Sequence, residues 1–370
     1  MARKQNPVNE ITIKGFKSIK NLEAFELSNL NVLIGSNGAG KSNFVSFFKF
    51  LREMIECNLN FWVKTQGRAD RILSFGIKET SELSAFLKFG LNGYKFTLNP
   101  TIDGSFVFKN EKTLFDGPYY GKKWESLGSG HSEAKLKETY ETEEKNSISD
   151  YVYNAIFSWQ VYHFHDTSDT AGVKRKKELH DNEFLRNDAS NLAAFLYRMK
   201  SEYPEHYEQI RKTVSLAIPF FDDFILKPET LPSGEQLISL LWKQKNSDYP
   251  LWSSQLSDGS IRFICLTTAL LQPTLPSTII IDEPELGLHP YAISLLGSLL
   301  RSAATKTQVI VSTQSVPLLN EFSLNDIIVV ERENGESVFK RLNEEDFTSW
   351  LEEYSIGELW EKNVLGGRPV

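Results

Sequence analysis

Gly35-Ser36-Asn37-Gly38-Ala39-Gly40-Lys41-Ser42 is the stretch from which the fold is read. It satisfies G-x-x-x-x-G-K-[ST], and its flanks are those the pattern requires. Asn31-Val-Leu-Ile34 before it is a short apolar run that reads as a strand. After it, Phe44, Phe47, Phe48, Leu51 and Ile55 recur at helical spacing. The unit is strand, glycine loop, helix. Glycines let the backbone curl with its N–H groups inward, and the start of the helix adds the positive end of its dipole. Such a loop is shaped for phosphates, with Lys41 reaching the β- and γ-phosphates and Ser42 offering an oxygen to Mg²⁺. Ser36, Asn37, Gly38, Ala39, Gly40, Lys41, Ser42 and Asn43 are therefore the expected residues of a nucleotide-phosphate site.

Working outward, Thr278-Ile-Ile-Ile-Asp282-Glu283-Pro284 is an apolar strand that delivers two carboxylates at its C-terminal end, where open α/β sheets place their ligands. Asp282 suits the hold on Mg²⁺, and Glu283 suits polarising a water in line with the γ-phosphate. Just ahead, Gln255-Leu-Ser257-Asp258-Gly259-Ser260 opens a helix carrying Ile261, Ile264 and Cys265 on one face. Taken alone, a serine there is only a good N-cap. Beyond the acidic strand a helix is expected from about Pro290, a strand over Gln308 to Ser312, and a further strand from Asp326 to Glu331.

Composition narrows the classes. A length of 370 residues suggests two compact units or one domain with a large insertion. A net charge of −7 repels polyanions as a whole, so nucleic-acid binding requires a local basic patch. Cys57 and Cys265 lie far apart in apolar stretches and read as buried free thiols rather than a disulfide. No apolar run reaches the roughly 18 residues of a membrane span, and the N-terminus lacks a signal-peptide core. The expected compartment is the cytoplasm, with no membrane partner.

Three segments are predicted: an N-terminal part at 1–116, a middle at 117–250 and a C-terminal part at 251–370. Within the first, Ala85-Phe-Leu-Lys-Phe89 and Tyr94-Lys-Phe-Thr-Leu98 alternate and are set off by Asn-Gly and Asp-Gly turns, the mark of an antiparallel sheet. From Gly117 to about Asp150 the chain is polar with weak periodicity and reads as an exposed excursion. Leu192, Phe195, Leu196, Ile210 and Val214 then suggest a helical insertion ending near Pro219.

These motifs resemble the ABC-type ATPases of the SMC/RecF/OLD branch, and more narrowly the bacterial "AAA family ATPase" proteins. The resemblance rests on residues 10–75 and 250–332, and the closing Leu359-Trp-Glu-Lys-Asn-Val-Leu-Gly-Gly-Arg368-Pro looks like the tail of the same group. It implies an α/β, P-loop NTPase, ABC-type head with an antiparallel β lobe and a helical insertion. It also implies a homodimer in which Ser257, Asp258, Gly259 and Ser260 form the signature that contacts the γ-phosphate held by a second protomer. Leu286 to His289 would be the loop that touches the opposite site. Gln314 stands where ABC transporters carry a γ-phosphate-sensing histidine; glutamine still hydrogen-bonds but takes no proton at neutral pH. For the family's glutamine loop only Gln66 offers itself. The catalytic set implied is thus Glu283, Lys41 and Gln314.

The resemblance further implies an ATP-driven switch acting on DNA or on a separate effector, a nuclease or toxin, in settings such as antiphage defence or DNA repair. Nucleotide-dependent holding of an effector with little hydrolysis is the alternative, and a transporter ATPase subunit fits the middle segment and Gln314 less well. No D-x-D run follows the last ATPase strand, so a TOPRIM nuclease like that of OLD proteins is not expected. Trp159-Gln-Val-Tyr-His163-Phe-His165-Asp166 puts two histidines on one strand face beside a carboxylate; an edge-strand role is preferred over a metal site. Lys174-Arg-Lys-Lys177 is a compact basic run that could meet nucleic-acid phosphates or an acidic partner, with a plain solvated face at least as good a reading.

Overall fold

Two six-stranded sheets share one helix. The computed structural model describes residues 7–119, 121–143 and 145–367. Its central sheet runs in the order Glu336–Arg341, Ile327–Glu333, Leu30–Ile34, Gln308–Ser312, Thr278–Asp282, Gln160–Tyr162. All neighbours in it are parallel except the hairpin at Glu336–Arg341. The second sheet is antiparallel, in the order Ile19–Glu26, Glu10–Phe16, Leu83–Phe89, Asn92–Pro100, Phe106–Gly117, Gly121–Gly128.

Strand periodicity divides the central sheet between two cores. Leu33, Ile280, Ile310, Ile328 and Val330 face one side, with the phosphate-loop helix Lys41–Ile55 and the antiparallel lobe. Phe44, Phe47, Phe48 and Phe50 of that helix are all fully buried there, which is why so many aromatics recur at its spacing. Val32, Ile279, Ile281, Val309, Val311 and Val329 face the other side, against the helices Asp258–Leu271, Pro290–Ala304, Leu192–Glu202 and Pro204–Ala217. The fold class expected from the resemblance is the one observed, a layered α/β head in which the glycine loop sits at the centre of the sheet.

The middle segment departs from the sequence reading. Gly121–Gly128 is the sixth strand of the antiparallel sheet, and Leu136–Thr142 and Ile148–Phe157 are helices. Glu111 explains why a polar stretch folds here: its fully buried carboxylate accepts from Tyr94 Oη at 2.7 Å and from the backbone N–H groups of Lys135 at 2.9 Å and Leu136 at 3.2 Å, and pairs with His131 Nε2 at 2.8 Å. Polar composition reflected one exposed face and one buried carboxylate, not absence of order. Further on, short strands at Phe221–Ile225, Glu229–Thr230, Gln236–Ile238 and Leu241–Gln244 follow the two helices. The region 117–250 is thus not a bare excursion: short strands accompany its helices, and it supplies the edge strand Gln160–Tyr162 of the central sheet.

Cys57 also departs from expectation. It lies one residue past the cap of the phosphate-loop helix at φ +62° and is exposed, whereas Cys265 is buried in the helix Asp258–Leu271, and both thiols are free. Among the described residues no helix is long and apolar enough to cross a membrane.

Candidate nucleotide site

Parallel pairing brings the C-terminal ends of four adjacent strands to one edge. Gly35 follows Leu30–Ile34, Glu283 follows Thr278–Asp282, Thr313 and Gln314 follow Gln308–Ser312, and His163 to His165 follow Gln160–Tyr162. Residues more than 270 apart in sequence meet there because the sheet, not chain proximity, assembles them.

The glycine loop has the geometry of a phosphate cradle. Gly38 has φ +79° and Gly40 φ +116°, both in the left-handed region that favours glycine. A Cβ built on Gly38 meets nothing within 4 Å, so the loop is open above it, whereas one on Gly40 would collide with Ser337 Oγ. Ser337 Oγ donates to Ala39 O at 2.5 Å and bonds Ser18 Oγ at 2.6 Å; Asn43 Nδ2 donates to Ser18 Oγ at 2.7 Å. This polar chain fixes the underside of the loop. On the outer side, Arg332 Nη1 donates to Gly38 O at 2.9 Å.

Lys41 is buried, and its ammonium donates to Gly35 O at 2.6 Å and Ser36 O at 3.1 Å. Burial pulls its pKa below the usual lysine range, opposed by the charges of Glu283, Asp282 and Glu285. Asp282 Oδ1 accepts from Ser312 Oγ and lies 3.5 Å from Ser42 Oγ. A hydroxyl and a carboxylate side by side are hard oxygen donors that fit Mg²⁺ bound together with nucleotide phosphates.

Glu283 is held in an unusual backbone state, φ +45°, which costs a non-glycine residue about 1–3 kcal/mol. Its N–H donates to Ser312 O at 2.9 Å, and its Oε1 accepts from Gln314 Nε2 at 2.6 Å. The same amide nitrogen reaches Asn37 Oδ1 at 2.7 Å, so Gln314 bridges the glycine loop and the acidic strand. Beside them Glu285 Oε1 accepts from Thr313 Oγ1 at 2.6 Å and Gln314 N at 3.3 Å, and burial pushes its carboxyl pKa up.

Ser257 is the N-cap of the helix Asp258–Leu271, accepting from Ser260 N at 3.2 Å. Ser257 and Asp258 are exposed. A Cβ on Gly259 would strike the carbonyl of Gly287, so the helix start and the loop after the acidic pair approach as backbones. Leu286 on that loop and Tyr291 in the first turn of the next helix are half exposed, and His289 caps that helix through Tyr291 N.

Two members of the basic run are paired within the chain. The Lys174 ammonium lies 3.7 Å from both Asp258 and Asp169, and Lys176 pairs with Glu229 at 2.6 Å. Gln66 caps the helix Leu59–Thr65, its N–H bonded to the Trp62 and Lys64 carbonyls. Among the described residues no group of three or more His, Cys, Asp or Glu could hold a metal by itself, and the segment with His163, His165 and Asp166 is the edge strand and the loop after it. Sequence reasoning named His165 but not its partner: its Nε2 lies 3.0 Å from Asp282 O. Strand alternation placed it on a face but could not say that its neighbour would be the acidic strand. Gly367 was read only as part of the tail: a Cβ there would lie 3.3 Å from Gly35 Cα, so the C-terminal segment closes against the first glycine of the loop. Arg368 and Pro369 of the same tail lie outside the described residues.

The family "AAA domain, putative AbiEii toxin, Type IV TA system" matches residues 30–320, which carry the glycine loop, the Ser257–Ser260 segment, the acidic strand and Gln314. The chain belongs to this AAA-domain family. No protein of curated function matches the sequence. Among solved structures, an SMC head bound to the C-terminal winged-helix domain of ScpA is similar at TM-score 0.62 and 14% identity, over 93% of this chain and 99% of that one. An SMC head with an extended coiled coil, bound to the C-terminal domain of ScpA derived from Pyrococcus furiosus, is similar at TM-score 0.57 and 14% identity, over 94% and 99%. At that identity the likeness establishes the fold alone, that of an SMC head.

Proposed function

We propose that this AAA-family head hydrolyses ATP between two copies of itself and uses the ATP-bound state to act on a separate partner. The bridge formed by Gln314 between Asn37 and Glu283 carries the reading, since it joins a phosphate cradle to a carboxylate within one chain. The loop amides and Lys41 bind the triphosphate. Ser42 and Asp282 hold Mg²⁺, which when bound neutralises charge on the phosphate oxygens. Glu283 orients and polarises the attacking water, and Gln314 fixes that carboxylate against the loop.

Ser257 to Ser260 are the signature that completes the site of the other protomer. In support, Ser257 and Asp258 are exposed at a helix start whose N–H groups suit a γ-phosphate. ATP then acts as the glue of a dimer, and hydrolysis releases it. The partner is a separate effector protein; the toxin wording of the family description and the ScpA domains bound to SMC heads both accord with a head that works through another protein. DNA is a weaker reading, because Lys174 and Lys176 are engaged in ion pairs.

The test is the solution mass of Glu283→Gln protein with and without ATP-Mg²⁺, beside the turnover of wild type and Lys41→Ala. An ATP-dependent doubling of mass, with turnover lost in both variants, is expected. An unchanged mass together with no wild-type turnover would leave a constitutive scaffold instead.

A further inference from the structure

The peptide that joins Asp282 to Glu283 is gripped on both sides. Its N–H donates to Ser312 O at 2.9 Å, and its carbonyl lies 3.0 Å from His165 Nε2. A carbonyl has no proton, so the imidazole must carry one on Nε2 and donate. This matters because Glu283 sits at φ +45°, a conformation that reverts to ordinary backbone unless its surroundings hold it. His165 itself is anchored from elsewhere. Arg262, on the first turn after the Ser257–Ser260 segment, donates from Nη2 to His165 O at 3.3 Å and from Nε to Phe164 O at 2.9 Å. Arg262 is 6% exposed, and its bond to Phe164 O is buried, where it is firm.

We propose that His165 is a positioning residue that holds the strained Asp282–Glu283 turn, and that Arg262 ties this hold to the helix opened by Ser257. In one protomer, the segment that meets the other copy's nucleotide is thereby two hydrogen-bonded steps from the carboxylate acting on its own nucleotide. A small shift of the helix start on dimer closure moves Arg262, then the His165 loop, then the carbonyl of Asp282. Closure on one side therefore sets the aim of Glu283 on the other. The functional part of this inference rests on the ATPase reading above; the hold itself is a property of the nucleotide-free fold.

The experiment measures amide hydrogen exchange in the peptide spanning 282–288 of nucleotide-free protein, beside kcat and KM for ATP. Wild type is compared with His165→Leu, His165→Gln and Arg262→Lys. His165 is exposed, so its replacement leaves the core intact. His165→Leu is expected to speed exchange in 282–288 by about fivefold, the effect of losing one ordinary hydrogen bond, with exchange across the strand Leu30–Ile34 unchanged. Its kcat should fall by a similar factor at constant KM. His165→Gln, which keeps a donor at comparable reach, should restore most of both. Arg262→Lys, which cannot reproduce the forked contact, should also speed exchange in 282–288. Unchanged exchange in His165→Leu, or no recovery with glutamine, overturns the positioning role. Faster exchange in His165→Leu but not in Arg262→Lys overturns the tie to the helix. If wild type fails to turn over ATP, the ATPase reading falls, while the exchange data still decide whether His165 holds the turn.

Discussion

Gln314 Nε2 donates to Glu283 Oε1 at 2.6 Å, and its other proton reaches Asn37 Oδ1 at 2.7 Å. One uncharged side chain thus sets the distance between the glycine loop and the acidic strand. A histidine in its place would carry a single ring N–H toward one of the two oxygens unless protonated. Replacing Gln314 with Leu keeps the volume and removes both bonds. The expected result is a fall in kcat of roughly ten- to hundredfold, the usual cost of a hydrogen bond to a charged group, with KM for ATP nearly unchanged. Steady-state turnover of the purified variant decides; equal kcat would show that Glu283 is aimed by its backbone alone.

Gly38 and Gly40 separate two kinds of glycine requirement. Both have positive φ, at +79° and +116°, but only Gly40 has a neighbour, Ser337 Oγ, where a Cβ would go. Gly38→Ala should cost about 1–2 kcal/mol from backbone strain. Gly40→Ala should cost more and also break the chain from Ser337 to Ser18 and Asn43. Thermal melts of the two variants with and without ATP-Mg²⁺ are the check. Equal melting temperatures would mean that the Ser337 contact yields without effect.

How much of this was legible in the sequence depended on range. The glycine loop, the Asp282–Glu283 strand and the Ser257 cap are local patterns, readable because their spacing and flanks carry the physics. Strand order was not local. Nothing in Asn31 to Ile34 says that its neighbours will be Gln308–Ser312 and Ile327–Glu333, so Arg332 at Gly38 and Ser337 at Ala39 could not be foreseen. His165 was legible as a strand-end histidine and illegible as a partner of Asp282. The order of the segment around Leu136 turned on one buried carboxylate, Glu111, that composition averages away.

The C-terminal segment provides another test. Gly367 N donates to Glu331 Oε1 at 2.9 Å at φ +80°, and a Cβ would lie 3.0 Å from Val329 Cγ1 and 3.3 Å from Gly35 Cα. A valine methyl can give way, but the backbone of the glycine loop cannot without moving its amides. Gly367→Ala is therefore expected to weaken ATP binding as well as to lower the melting temperature. Calorimetric titration with ATP-Mg²⁺ checks this, and unaltered affinity would make the tail a bystander to the loop.

Glu285 gives the pH dependence a sign. Its Oε1 is satisfied by Thr313 and Gln314, but burial dominates and raises its pKa in the folded protein. The folded state then binds the proton more tightly than the unfolded chain, so Glu285 contributes most below the ordinary carboxylate pKa. That contribution is lost as pH rises through the raised folded-state value. Glu285→Gln has no proton to lose. The melting temperature of wild type minus that of Glu285→Gln should therefore decrease from acid toward neutral pH, and then level off. Paired thermal melts across that range read it directly. A difference that rises with pH would show that the hydrogen bonds from Thr313 and Gln314, rather than burial, control the Glu285 carboxyl.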